Sequence, residues 1–211
     1  MGIVEILGVA GSLSLLAGWR LYLTILATGT AMHFGWLPLP EHLAALQVLA
    51  NPWVLGVAAI GTLAEFLADK IAWVDSMWDM VHSVIRPLGG ALLALALVDA
   101  SDPTWQVIAF LLGGGGALLS HGAKATTRAV VNASPEPFSN AVVSTGEDVA
   151  TGGLLALAIA FPPLAILIAV VMAVAAVVVI IALRRLLRNI KATLKRALGD
   201  EAPRTDGGPP S

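Results

Sequence analysis

From position 164 to 183 the chain reads LAILIAVVMAVAAVVVIIAL, with no polar side chain at any position. A helix of about 20 such residues is what the roughly 30 Å hydrocarbon core of a bilayer requires. In water the segment would need wrapping on every side, and the rest of the chain offers little to wrap it with. Of 211 residues 57% are hydrophobic and only 12% charged, and the mean hydropathy is +0.85. A soluble domain carries about 25% charged residues. Lipid is therefore the expected solvent, and an all-α integral membrane protein the expected fold.

Other apolar runs bring the expected spans to six, at about 6–33, 52–72, 79–99, 104–130, 140–160 and 163–184. They are separated by GWLPLPEHLAALQVLANP, DKIAWVDSMWD, DASDPTW, VNASPEPFSN and FPP, and PEHLAALQ is a candidate for a short interfacial helix. Of the 12 Lys and Arg, seven follow residue 183: Arg184, Arg185, Arg188, Lys191, Lys195, Arg196 and Arg204. The positive-inside rule then puts the C-terminus in the cytoplasm, and six crossings put the N-terminus there too. Trp36, Trp53 and Trp105 fall at outer ends and Trp73 and Trp78 at inner ends, as an aromatic belt requires. The N-terminal segment lacks the pattern of a signal peptide. The closing TDGGPPS has the composition of a disordered tail.

The first and fourth spans are too long. Residues 3–34 as one helix would extend about 48 Å at 1.5 Å per residue, and 104–133 is similar. Both hold glycine clusters, LGVAGS at 7–12 and LLGGGGALL at 111–119. Tilt, a break at the glycines, and close helix packing through small residues are the three readings. LGVAGSLSLLAGWRLYLT can also be laid on LLGGGGALLSHGAKATTR, pairing Gly18 with Gly122 and Arg20 with Lys124. Two inverted three-helix repeats with Gly-interrupted helices are therefore expected, over 1–99 and 100–184, as in many secondary transporters. A basic amphipathic helix and tail would follow over 185–211, with Leu183, Leu187, Ile190 and Leu194 on one face, lying on anionic lipid or stopping transfer.

The ionisable residues fall in stripes at helical spacing. Glu65 and Asp69 share a face, as do Asp75, Asp79, His82 and Arg86. His121, Lys124 and Arg128 make a basic face, and Asn140, Ser144, Glu147 and Thr151 a polar one with Asp148 beside it. Arg20, Thr24 and Thr28 line up on the first span, and Lys70 follows Asp69. All should converge on one layer in the cytoplasmic half of the membrane. Charges at such depth cost at least about 2–3 kcal/mol each, so they should pair or line a wet chamber. Pairing that merely glues the helices is the plainest reading.

Carboxylates on facing helices can carry protons or ligate a hard cation. Glu65, Asp69, Glu147, Asp148, Asn140 and Ser144 are thus candidates for binding substrate or ion, and Glu65, Asp69 and Glu147 for holding a divalent cation. Arg20, Lys124, Arg128, Arg86 and Lys70 would compensate their charge or bind an anion. His82, His121, Asp79 and Asp75 are candidates for proton coupling. His33 and His42 read as ordinary interfacial residues. Cysteine is absent, which excludes disulfides and thiolate chemistry. No HExxH, GxSxG or P-loop pattern occurs, and no enzyme is expected.

GWRLYLTILATG, the stretch from PWVLGVAAIG through EFLADKIAWVDSMWDMVHSVIRPLGGALLA, SHGAKATTRAVVN and SNAVVSTGEDVATGGLLAL together resemble the bacterial membrane family known as domain of unknown function 4126. The resemblance covers roughly residues 10–160 and implies a bacterial inner-membrane location, without a function. A looser likeness is to six-span cation carriers of the lysine-exporter type, whose Glu-x-Gly-Asp-Lys motif is one residue shorter than the E-F-L-A-D-K of Glu65 to Lys70. The leading expectation is a small transporter or exchanger of a cation with proton coupling. The alternatives are a non-catalytic membrane scaffold or accessory subunit, and a lipid-phosphate-handling protein. Expected partners are the bilayer, a small ion or solute, and a second copy of the chain; nothing points to nucleic acid.

Overall fold

A computed structural model of the chain describes residues 3–36, 41–98, 101–132 and 137–199. The closing TDGGPPS, expected to be disordered, lies outside the described residues. Six α-helices make up the fold: α1 (Ile3–His33), α2 (Pro52–Ala68), α3 (Ala72–Leu95), α4 (Pro103–Asn132), α5 (Pro137–Ala160) and α6 (Pro162–Gly199). A 3-10 helix, Glu41–Ala50, joins α1 to α2, and no strand occurs among the described residues. Four helices open on proline, whose missing N–H costs nothing at a position with no intrahelical acceptor. Asn51 caps α2, its Oδ1 accepting the Trp53 N–H at 2.9 Å.

Three segments are long and apolar enough to cross a membrane: Gly8–His33, Pro103–Val131 and Leu164–Ile190. That is fewer than the six expected, and the reason is visible in the other helices. With 17 residues α2 is apolar but short. On α3 and α5 polar residues lower the mean hydropathy, yet on α3 they point inward. Asp75, Asp79, His82 and Arg86 are buried, while Met77, Met80, Val84, Leu88 and Leu92 face out. Both α3 and α2 thus show apolar side chains to the surroundings and polar ones to the interior.

The break expected at the glycines of α1 lies elsewhere. Arg20 has φ −142° and ψ 80°, and the helix is interrupted there. Contacts on either side give the two arms different courses. Gly8 faces Ile166, Gly11 faces Ala169, and Gly18 faces Ala117 and Ser120, so the first arm runs in the direction of α6 and α4. Beyond Arg20, Gly61 faces Tyr22, and Leu55 faces Gly29, so the second arm runs against α2. His33 Nδ1 then reaches the Ala50 carbonyl, 3.1 Å away, where α2 is about to begin. The chain thus changes course at Arg20, between an arm seated on α6 and α4 and an arm seated on α2.

Irregular backbone at membrane depth is tolerated where protein surrounds it, and α1 packs against every other helix. The expected match between Arg20 and Lys124 also fails in backbone form, since α4 runs unbroken through Lys124. The glycines of α4 serve close packing instead. Gly113 lies against Gly90, Ala94 and Ser14, and Gly114 against Pro87 and Ala91. Ser14 Oγ donates to the Gly90 carbonyl (3.0 Å) and Ser120 Oγ to that of Leu15 (2.5 Å). Leu13, Leu16, Ala17, Leu93, Ala94, Leu97, Leu155 and Ile168 form the apolar core at this end.

The basic segment after residue 183 is not a separate helix. It continues α6 without interruption to Gly199, and Leu186 and Ile190 are exposed beside Arg185 and Arg188.

Candidate functional site

At the break in α1 the expected convergence is present. The side chains of Arg20, Glu65, Asp69, Asp75, Arg86, Lys124 and Arg128 are at most 2% exposed. They are gathered from α1, α3 and α4, the C-terminal end of α2, and Glu147 and Ser144 of α5.

Arg20 is the hub. Its Nη1 pairs with Asp69 Oδ2 and stands 3.8 Å from Glu65 Oε1. Its Nη2 donates to Glu147 Oε2 (3.2 Å) and to the carbonyl and hydroxyl of Ser144 (3.1 and 3.3 Å). Its Nε lies 3.1 Å from Asp148 Oδ1. One guanidinium thus ties α1 to α2 and α5. Thr24 donates to the Arg20 carbonyl at 2.8 Å, which keeps that acceptor satisfied beside the break.

A second knot is built on Arg86. Its Nη2 meets Glu65 Oε1 at 2.5 Å, and its Nη1 donates to Asp79 Oδ1 (3.2 Å) and His121 Nδ1 (2.7 Å). Because the guanidinium can only donate, His121 Nδ1 accepts, so its proton is on Nε2. That nitrogen donates to the Asp79 carbonyl at 3.1 Å. Lys124 and Arg128 join the knots: Lys124 Nζ is 3.4 Å from Glu65 Oε1 and 3.7 Å from Asp69 Oδ1. Arg128 Nη2 is 3.0 Å from Asp69 Oδ2 and 3.3 Å from Glu147 Oε2.

Other candidates sit at the margin. Lys70 donates to Ser144 Oγ (2.8 Å) and lies over the Phe66 ring, and Asp148 is 26% exposed. Asp75 is fully buried beside this layer. His82 stands apart from the ion pairs. It stacks on Trp78 with ring centroids 4.4 Å apart, donates through Nδ1 to the Trp78 carbonyl (2.8 Å), and faces Tyr22 Oη through Nε2 (3.1 Å). The side chain of Asn140 lies outside the described residues.

Sequence reasoning missed Tyr22 and Trp78. Tyr22 is the only tyrosine of the chain and stands two residues past Arg20, the one available signal.

In the network proper, the carboxylates Glu65, Asp69, Asp79, Glu147 and Asp148 meet the cations Arg20, Arg86, Lys124 and Arg128. Adding Lys70 and Asp75 keeps the signs within one of balance, which is how so much buried charge is tolerated. The two oxygens of Glu65 are treated unequally. Oε1 takes three cations, while Oε2 is buried with no hydrogen-bond partner among the described residues. The proposed divalent site fits poorly. Among the described residues no group of three or more His, Asp or Glu is placed to hold a metal ion, and Arg20, Lys124 and Arg128 stand between Glu65, Asp69 and Glu147.

Fold and site together define an all-helical, membrane-type bundle whose apolar exterior encloses an ion-pair layer around the break in α1. Residues 7–182 match the family described as Domain of unknown function (DUF4126), and the chain belongs to that family. No curated protein and no solved structure matches it, and the likeness to lysine exporters has no match behind it.

Proposed function

We propose that the chain is a small membrane transporter or exchanger that moves a cation in exchange for protons through the Arg20–Glu65–Glu147 layer. With the basic end of α6 cytoplasmic by the positive-inside rule, the layer lies in the cytoplasmic half of the bilayer.

The observation that carries this reading is the broken helix with a cation at its break. Discontinuous helices at membrane depth recur where transporters bind their cargo. The Arg20 guanidinium already sits among Asp69, Glu147 and Asp148 as a built-in cation. A cargo cation would take those oxygens by displacing it, and the bend at Arg20 supplies the joint on which it withdraws. Replacing one positive charge by another leaves the sum of the layer unchanged, so a monovalent cargo suits it better than a divalent one.

Glu65 Oε2 can take a proton without losing a partner, because Arg86 and Lys124 hold Oε1. The histidines serve less well as relays. His121 already uses both ring nitrogens as acceptor and donor, so protonating it would set N–H against the Arg86 guanidinium.

The test is flux in proteoliposomes across a panel of monovalent and divalent cations, with and without a pH gradient. Glu65→Gln should uncouple flux from the gradient, and Arg20→Gln should abolish exchange. Undiminished, coupled flux in both variants would remove the proposal. One observation favours a second reading: every cation of the layer is already paired, as in a bundle held together by charge alone. On that scaffold reading the same variants lower the yield of folded protein and no flux exists to lose.

A further inference from the structure

One histidine of the interior is surrounded by groups that suit a positive charge. His82, on α3, is buried and belongs to neither knot of ion pairs. Its Nδ1 lies 2.8 Å from the Trp78 carbonyl, which can only accept, so Nδ1 carries a proton. In the neutral ring Nε2 is then the acceptor, and the Tyr22 hydroxyl donates to it over 3.1 Å.

A second proton, on Nε2, breaks neither bond. The Trp78 carbonyl still accepts from Nδ1, and the Tyr22 oxygen has lone pairs to receive the new N–H. The second bond reverses its direction and survives. His121 has no such freedom, because its Nδ1 faces the Arg86 guanidinium at 2.7 Å. With both nitrogens of His82 bonded in either state, the proton is held and not passed on.

The neighbours favour the charged ring. The Trp78 indole lies over the imidazole, centroids 4.4 Å apart and planes 21° apart, and the face of a Trp ring attracts a cation within about 6 Å. Of the ionisable groups around it, α1 brings Tyr22, α2 brings Glu65, and α3 itself brings Asp79 and Arg86. Two carboxylates thus stand against one guanidinium. Counted with Lys70 and Asp75, the ion-pair layer also holds one more carboxylate than cation, a deficit that one imidazolium fills.

We propose that His82 is a proton-binding site of the bundle, held as an imidazolium between Trp78 and Tyr22, and that its occupancy reverses the hydrogen bond joining α3 to α1. Tyr22 stands two residues past the break at Arg20, with Gly61 of α2 closed against its ring. The proton is therefore bound next to the joint of α1. The proposal does not rest on cation exchange: the proton binds whether or not any flux exists.

Trp78 serves as the reporter, since an imidazolium stacked on indole quenches its fluorescence far more than a neutral imidazole does. The full chain in a nonionic detergent is titrated from about pH 8 to pH 5, the range in which histidine changes charge. A reversible fall in tryptophan emission with the steepness of one proton is expected. Trp78→Phe should remove it, as should His82→Gln wherever that variant folds. Tyr22→Phe keeps the ring but takes away the acceptor for Nε2–H. A hydrogen bond to a charged group is worth more than the neutral one it replaces, so the midpoint should fall by about half a pH unit or more. A flat profile in the unaltered chain, a step that outlives Trp78→Phe, or a midpoint unmoved by Tyr22→Phe would each overturn the proposal.

Discussion

The two halves of this bundle solve the same problem with opposite chemistry. At the end where α6 begins, α1, α3 and α4 close on one another through Ser14, Gly18, Gly90, Gly113 and Ala117, with leucines filling the space between. At the level of Arg20 the same helices meet through guanidinium and carboxylate groups. Small residues let backbones approach and serine hydroxyls bond across helices, which is the ordinary way to associate in lipid. The first region shows that this chain can hold α1, α3 and α4 together without any charge. The second region is therefore not required for adhesion between those three helices. It joins α1 at Arg20 to the end of α2 and to α5 through Asp69, Glu147 and Asp148.

The contrast can be tested hardest at its crowded end. Gly18 faces the Ala117 backbone and Ser120 Oγ, and no Cβ fits there without moving main chain. Gly18→Leu should cost more than the about 1–3 kcal/mol of ordinary overpacking and remove the monodisperse peak in size-exclusion chromatography. A normal peak would mean that the first arm of α1 is not tightly seated. In the charged region Glu65→Ala leaves Arg86 and Lys124 short of their shared oxygen. Breaking a buried pair from one side costs about 3–5 kcal/mol, read as a fall in the melting temperature in detergent. A loss under about 1 kcal/mol would show the layer open to water. The mildest change is Gly115→Ala, on the exposed face of α4 with nothing near its Cβ. It should stabilise by up to about 1 kcal/mol through helix propensity alone, and a loss would mean that α4 bends there.

The charged half of this comparison was the more legible from sequence. Helical spacing alone set Asp79, His82 and Arg86 on one face and His121, Lys124 and Arg128 on another, and those faces do meet. The glycine-rich half misled, because a glycine cluster signals equally a break or a close approach, and only the neighbouring helix decides. In α4 that neighbour is α3, and approach wins. The break in α1 falls on Arg20, a residue with no intrinsic preference for one. It is held by partners 49 and 127 positions away, which no local pattern announces. Six crossings followed from runs of apolar residues, but buried charge on α3 and the shortness of α2 leave three helices long and apolar enough to cross. His82 was grouped with Arg86 by spacing, but the ring stacks on Trp78 and turns to Tyr22 instead.

Because α1 breaks at Arg20 and packs against every other helix, the side chain at the break works as a linchpin. Withdrawing that one guanidinium would release α2 and α5 in a single stroke, since it alone ties α1 to Asp69, Glu147 and Asp148, while the glycine-packed end stayed shut.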